Sequence, residues 1–224
     1  MQKGGGLAAI FCAILIALQA VISSVLSLPF GIRDAAQLGI STGTVGSLFA
    51  SDTLRVILGV FLLVMVAAAS ARSGARARAK GQTNWVAIIG VVAAILVCVS
   101  GVVSVLSLIS LLEGQSTGTP LDSLGPFVFL AQILFAIALF LLTLWQFLLG
   151  LNSLINHSFP GLVSLFGMGS VVLTLIAIFL SDLQTLALIA NLAWLILIGL
   201  IMLNTSEPVL PVAPRLLTAP RNER

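Results

Sequence analysis

Apolar side chains fall into six long runs, and the short stretches between them hold most of the charge. The runs are Leu7–Leu28, Leu54–Ala71, Trp85–Leu112, Phe127–Leu149, Gly161–Leu180 and Leu183–Leu203. None shows the two-residue alternation of a barrel strand, so each predicts a helix. A bilayer core about 30 Å thick is crossed by about 20 helical residues, and all six runs reach or approach that length. The pattern therefore predicts an all-α polytopic transmembrane bundle of six helices over 1–203. A Pro-rich cytoplasmic tail over 204–224 follows it.

Boundary residues sharpen the pattern. Pro126 and Pro160 stand where a first helical turn begins and a missing N–H costs nothing. Ser51-Asp52-Thr53, Thr83-Asn84 and Ser181-Asp182 are suited to cap the helices that follow them. Arg55 is expected to snorkel outward from the first turn of the second span. The third run, about 42 Å long at 1.5 Å per residue, must tilt or project past the headgroups near Glu113. The connector from Pro29 to Thr53 is the longest. It is expected to lie on the membrane surface, with a short interfacial helix around Ile32–Leu38.

Composition excludes a soluble globule. Hydrophobic residues make up 59% of the 224 and charged residues 8%, about a third of the share usual in soluble proteins. Such a surface is compatible only with lipid. Cys12 and Cys98 lie inside apolar runs, which predicts two small buried side chains and no disulfide framework.

Charge then sets an orientation. Six spans put both termini on one side, together with Lys3, Arg72, Arg76, Arg78, Lys80, Arg215, Arg221 and Arg224, whereas only Arg33 and Arg55 lie opposite. Asp34, Asp52, Glu113, Asp122 and Asp182 also fall on the opposite side. Excess Lys and Arg in short loops marks the cytoplasm, so both termini are expected inside, across a bacterial inner membrane. The cluster Arg72, Arg76, Arg78 and Lys80 is a tight connector without aromatic stacking residues. Its expected role is topology and contact with anionic lipid headgroups, not nucleic acid. Lys3 before an apolar stretch resembles a signal peptide, but the stretch outruns a signal core, and an uncleaved first span is expected. The triplets Asn156-His157-Ser158 and Asn204-Thr205-Ser206 match the glycosylation pattern on the predicted inner face and are discounted.

Chemistry is sparse along the chain. No ionisable residue falls at the middle of a predicted span, which disfavours proton relays and ion-coupled pumps. His157 is the single histidine, expected in a solvated loop. Neither bis-imidazole haem nor a His-rich zinc site has enough ligands, so no cofactor, metal or catalytic residue is assigned. Gly167-Met168-Gly169-Ser170 has no base near its serine and is expected to serve helix packing.

Uncharged polar residues inside the spans carry the remaining signal. Gln19, Ser23 and Ser27 share a face of the first span, and Ser100, Ser104, Ser107 and Ser110 form a stripe on the third beside Gly101. Gln132, Thr143 and Gln146 fall within an arc of the fourth, and Asn191 lies near Trp194 in the sixth. These side chains either tie the bundle together or line a pocket for a small neutral ligand or lipid headgroup. Gln19, Gln132, Gln146 and Asn191 are the candidate pocket residues, because amides both donate and accept.

The layout resembles a group of uncharacterised bacterial six-helix integral membrane proteins of about this length. The likeness rests on the long connector after span one and on "SDTLRVILGVFLLVMVAAA" at Ser51–Ala69. It rests further on "INHSFPGLVSLFGMG" at Ile155–Gly169 and on the closing "LIANLAWLILIGLIML". It implies a six-helix fold and no catalytic residues. The functional expectation is a structural or accessory subunit of a membrane complex, with a membrane-protein partner or a homo-oligomer. A small carrier or lipid-binding protein is the alternative.

Overall fold

The computed structural model describes residues 2–25, 42–74, 84–117 and 125–204. Among these residues the fold is all-α. Its long helices are α1 (Gln2–Val25), α2 (Thr42–Ser73), α3 (Trp85–Thr117), α4 (Gly125–Asn156), α5 (Gly161–Phe179) and α6 (Gln184–Asn204). All six contain a segment long and apolar enough to cross a membrane. The basic residues Arg76, Arg78 and Lys80, the Ile32–Leu38 stretch expected to form an interfacial helix and the tail from residue 205 lie outside the described residues.

Each helix packs on its neighbours in the chain, and α6 returns to α1, which closes the six into a ring. The closing seam is built from small residues: Gly6 lies against the Gly199 carbonyl, and Gly199 against Gly6 and Ile10. A Cβ at either position would overlap the facing helix, so glycine here permits backbone contact. Three further contacts fix the antiparallel register, with Gly5 against Ala68, Gly101 against Val56 and Asp52, and Gly90 against the Trp145 indole.

The ring is filled near its middle by Trp145 and Trp194, which meet edge to face at 6.2 Å between centroids. Met65, Val66, Ala94, Leu149, Ile198 and Met202 complete this core. A void of about 10 Å³ beside Leu149, Phe159, Trp194 and Ile198 is at the lower limit for one water. The outside is the reverse of a soluble surface: Leu162 is 83% and Phe179 87% exposed. A ring of exposed large aliphatic and aromatic side chains matches a hydrocarbon solvent.

Helix ends follow local chemistry, with departures from the expected boundaries. Asn84 caps α3, its Oδ1 accepting from the Ala87 N–H at 3.3 Å. Pro126 is in the first turn of α4 and Pro160 directly precedes α5. Ser181-Asp182 does not cap; these residues form a single 3₁₀ turn with Leu183 and make no side-chain cap bond. The expected cap at Ser51-Asp52-Thr53 is also absent, because α2 begins at Thr42, ten residues earlier than Asp52. Val45, Leu48 and Phe49 extend the helical spacing upstream, and Thr53 Oγ1 donates to the Phe49 carbonyl at 2.8 Å within the helix.

Candidate functional site

Asp52 lies inside the bundle. It is 0% exposed and belongs to the apolar segment Leu48–Ser73 of α2. Gly101 lets α3 approach the backbone at Asp52 and Val56, and Ser104, one turn further along α3, donates from Oγ to Asp52 Oδ2 at 2.6 Å. Arg55, three residues on, places Nη2 3.6 Å from Asp52 Oδ1. It does not snorkel outward. It is 9% exposed, and its guanidinium stacks 4.1 Å from the centroid of the Phe135 ring on α4. The expected outward course of Arg55 fails, while both charges lie near the end of the span and not at its middle. A spacing of three residues puts Asp52 and Arg55 on one helix face, and that face continues into Leu58, Leu62 and Met65 of the core.

Two of the candidate amides belong to this level. Counting along α1 from the Gly5–Ala68 contact brings Gln19 opposite the Asp52–Arg55 turn. Counting along α4 from the Gly90–Trp145 contact brings Gln132 opposite Ser104. Gln19 is 7% exposed. Gln132 sits one turn before Phe135. Its Nε2 is buried and has no hydrogen-bond partner among the described residues. All these residues lie about 5–10 Å inside the ends of their apolar segments, at the end of the bundle away from both termini.

The other two candidate amides are elsewhere. Gln146 Nε2 donates to Ser170 Oγ at 2.7 Å, to Asn191 Oδ1 at 3.2 Å and to the Gly167 carbonyl at 3.3 Å. Asn191 Nδ2 donates in turn to Thr174 Oγ1 at 2.8 Å and to the Ala187 carbonyl at 2.9 Å. This network joins α4, α5 and α6 in mid-bundle, and Gly167 admits the Trp194 indole beside it. The four amides therefore do not line one pocket. The serine stripe of α3 divides as well: Ser100 and Ser107 bond their own helix carbonyls, whereas Ser104 crosses to α2. Thr143 bonds its own Leu139 carbonyl. The Ser23 side chain and Ser27 lie outside the described residues.

A third polar group ties the termini end together. Arg72 Nε donates to the Ser158 carbonyl at 2.7 Å, and its guanidinium lies 4.8 Å from the Phe159 ring centroid. Arg72 is thus engaged with the α4–α5 turn. In that turn His157 takes a left-handed φ of 50°. Ser153 accepts from the Phe159 N–H and from Ser164, while Ser70 accepts from Asn84 and from the Trp145 indole.

No group of three or more His, Cys, Asp or Glu able to hold a metal occurs among the described residues. No family model, curated protein or solved structure matches the chain.

Proposed function

We propose that the chain is a multi-pass membrane protein that binds a small polar group between its helices, as a small carrier or lipid-binding protein. One observation carries this reading: the buried Gln132 Nε2, without a hydrogen-bond partner among the described residues, stands level with the buried Asp52–Arg55–Ser104 group. In hydrocarbon an amide without a partner is costly, and ionisable residues within spans mark ligand or ion paths. The proposed binding level thus includes the Asp52–Arg55 pair in addition to the Gln132 amide, with Gln19 of α1 at the same height. Both termini are read as cytoplasmic in the plasma membrane, which places this pocket at the outer side.

The test is accessibility. Gln19→Cys and Gln132→Cys should each react with a membrane-impermeant thiol reagent applied from the outer side, above the background of wild-type Cys12 and Cys98. Gln146→Cys and Asn191→Cys should stay silent. Silence at all four positions overturns the binding reading.

A structural or accessory subunit is the second reading, supported by the hydrogen-bonded Gln146–Ser170–Asn191–Thr174 network. It predicts a partner or a second copy retained through mild-detergent purification. A monodisperse monomer counts against it.

A further inference from the structure

We propose that the bilayer is stepped around this protein. The leaflet at the end away from both termini thins beside the α5–α6 hairpin, bringing headgroups and water down to Ser181 and Asp182. It keeps its full height against α2, α3 and α4. The partner is lipid, and the inference rests on the six spans, with no bound ligand required.

The argument begins with register. Gln146 on α4 bonds Ser170 on α5, which sets the two helices side by side. Toward the termini they run similar distances from this bond, about 15 Å to Asn156 and about 14 Å to Gly161. In the other direction Phe127 lies about 28 Å from Gln146, whereas Phe179 lies about 14 Å from Ser170. The chain then turns back at once through Ser181–Leu183 into α6. The α4 helix therefore overtops the hairpin by about 15 Å, half of a 30 Å core.

Exposure follows the two heights. On the tall side, Phe127, Phe129, Leu130 and Ile133 of α4 are exposed beyond the level of the hairpin tip. Counting along α3 from the Gly90–Trp145 contact, and along α2 from the Gly59–Cys98 contact, brings Leu106, Ile109 and Phe49 to the same height, and these are exposed too. On the hairpin, exposed apolar residues end at Phe179 and Leu180, and the exposed polar residues Ser181, Asp182, Gln184 and Thr185 follow. A flat bilayer misplaces one set or the other. With Phe127 at the edge of the hydrocarbon, the Asp182 carboxylate is about 15 Å deep, where charge is costly. With Asp182 at the edge, the rings of Phe49, Phe127 and Phe129 stand in water. Tilt does not reconcile them. Neighbouring axes are about 10 Å apart, so a tilt of up to about 40° changes their relative height by about 6 Å at most. Thinning beside the shorter segment is a modest cost per ångström by comparison.

The test measures depth. The full chain carrying Cys12→Ala and Cys98→Ala is reconstituted in dioleoylphosphatidylcholine vesicles, with a nitroxide on Ser181→Cys or on Phe127→Cys. Both positions are exposed, so neither label disturbs the core. Collision rates with oxygen and with a water-soluble nickel chelate report how deep each label lies. Both labels are expected in the interfacial region, within about 7 Å of the hydrocarbon edge. A Ser181 label deeper than this overturns the proposal, because the leaflet then stays flat above the hairpin. A Phe127 label in bulk water also overturns it, because α4 then projects from a flat bilayer. Spin–spin broadening between Phe127 labels on two copies overturns the choice of partner, since a second chain and not lipid then covers the tall side. Adding Asp182→Leu should lower the nickel collision rate of the Ser181 label about twofold or more, as the headgroups are no longer held down. An unchanged rate overturns the part given to the carboxylate.

Discussion

Replacing Asp52 by Asn removes the carboxylate that stands 3.6 Å from the Arg55 guanidinium, which packs on Phe135. Breaking a buried pair from one side typically costs about 3–5 kcal/mol, whereas replacing both partners by apolar residues of similar volume is often neutral or better. Asp52→Asn should therefore lower the unfolding midpoint in detergent sharply, and Asp52→Leu with Arg55→Met should restore it. Failure of the double change to recover would mean that the pair is needed for folding itself. At His157 the determinant is backbone geometry. A φ of 50° suits asparagine and strains a β-branched residue. His157→Asn should be neutral within about 0.5 kcal/mol, and His157→Val should cost about 1 kcal/mol or more, read from the same unfolding curves.

Helix pairs are held by different means in different parts of the ring. Between α4 and α6 the Gln146–Asn191 bond crosses directly at 3.2 Å, and both partners bond α5 as well. A double-mutant cycle with Gln146→Leu and Asn191→Leu should give a coupling of about 1 kcal/mol, the usual range for interhelical polar contacts. Between α1 and α6 the seam depends on the absence of side chains. Gly199→Leu has no space against Gly6 and Ile10, and it should part these helices, seen as loss of the folded, monodisperse species. The apolar runs predicted all six helices, because a bilayer-length run without alternation has one solution. Their ends were less legible. The polar stretch Gly150–Asn156 extends α4 because Asn152 and Ser153 find partners on α2 and α5, a tertiary compensation that periodicity does not encode. The α2 start lies upstream of Ser51-Asp52-Thr53, which has the composition of a cap, because Val45, Leu48 and Phe49 continue the apolar pattern at helical spacing. Likewise the amides were recognisable as candidates, but only the register separates Gln19 and Gln132 from Gln146 and Asn191.

For the whole molecule, the distribution of charge relative to the ring sets the orientation to be tested. A cysteine placed at Arg78 should be labelled by an impermeant reagent only after the cytoplasmic side is opened, and labelling of intact cells would invert the assignment. The ring also has a temporal consequence through its α1–α6 seam. Because α1 leaves the ribosome before α6, it finds one of its two lateral neighbours only when α6 has been made. Until then the Gly6 face of α1 is bordered by lipid, or by whatever insertion factor shelters a half-built protein. Chains stopped before α6 should accordingly be cleared by membrane proteases far faster than chains that include it, even though α1 to α5 are already in place.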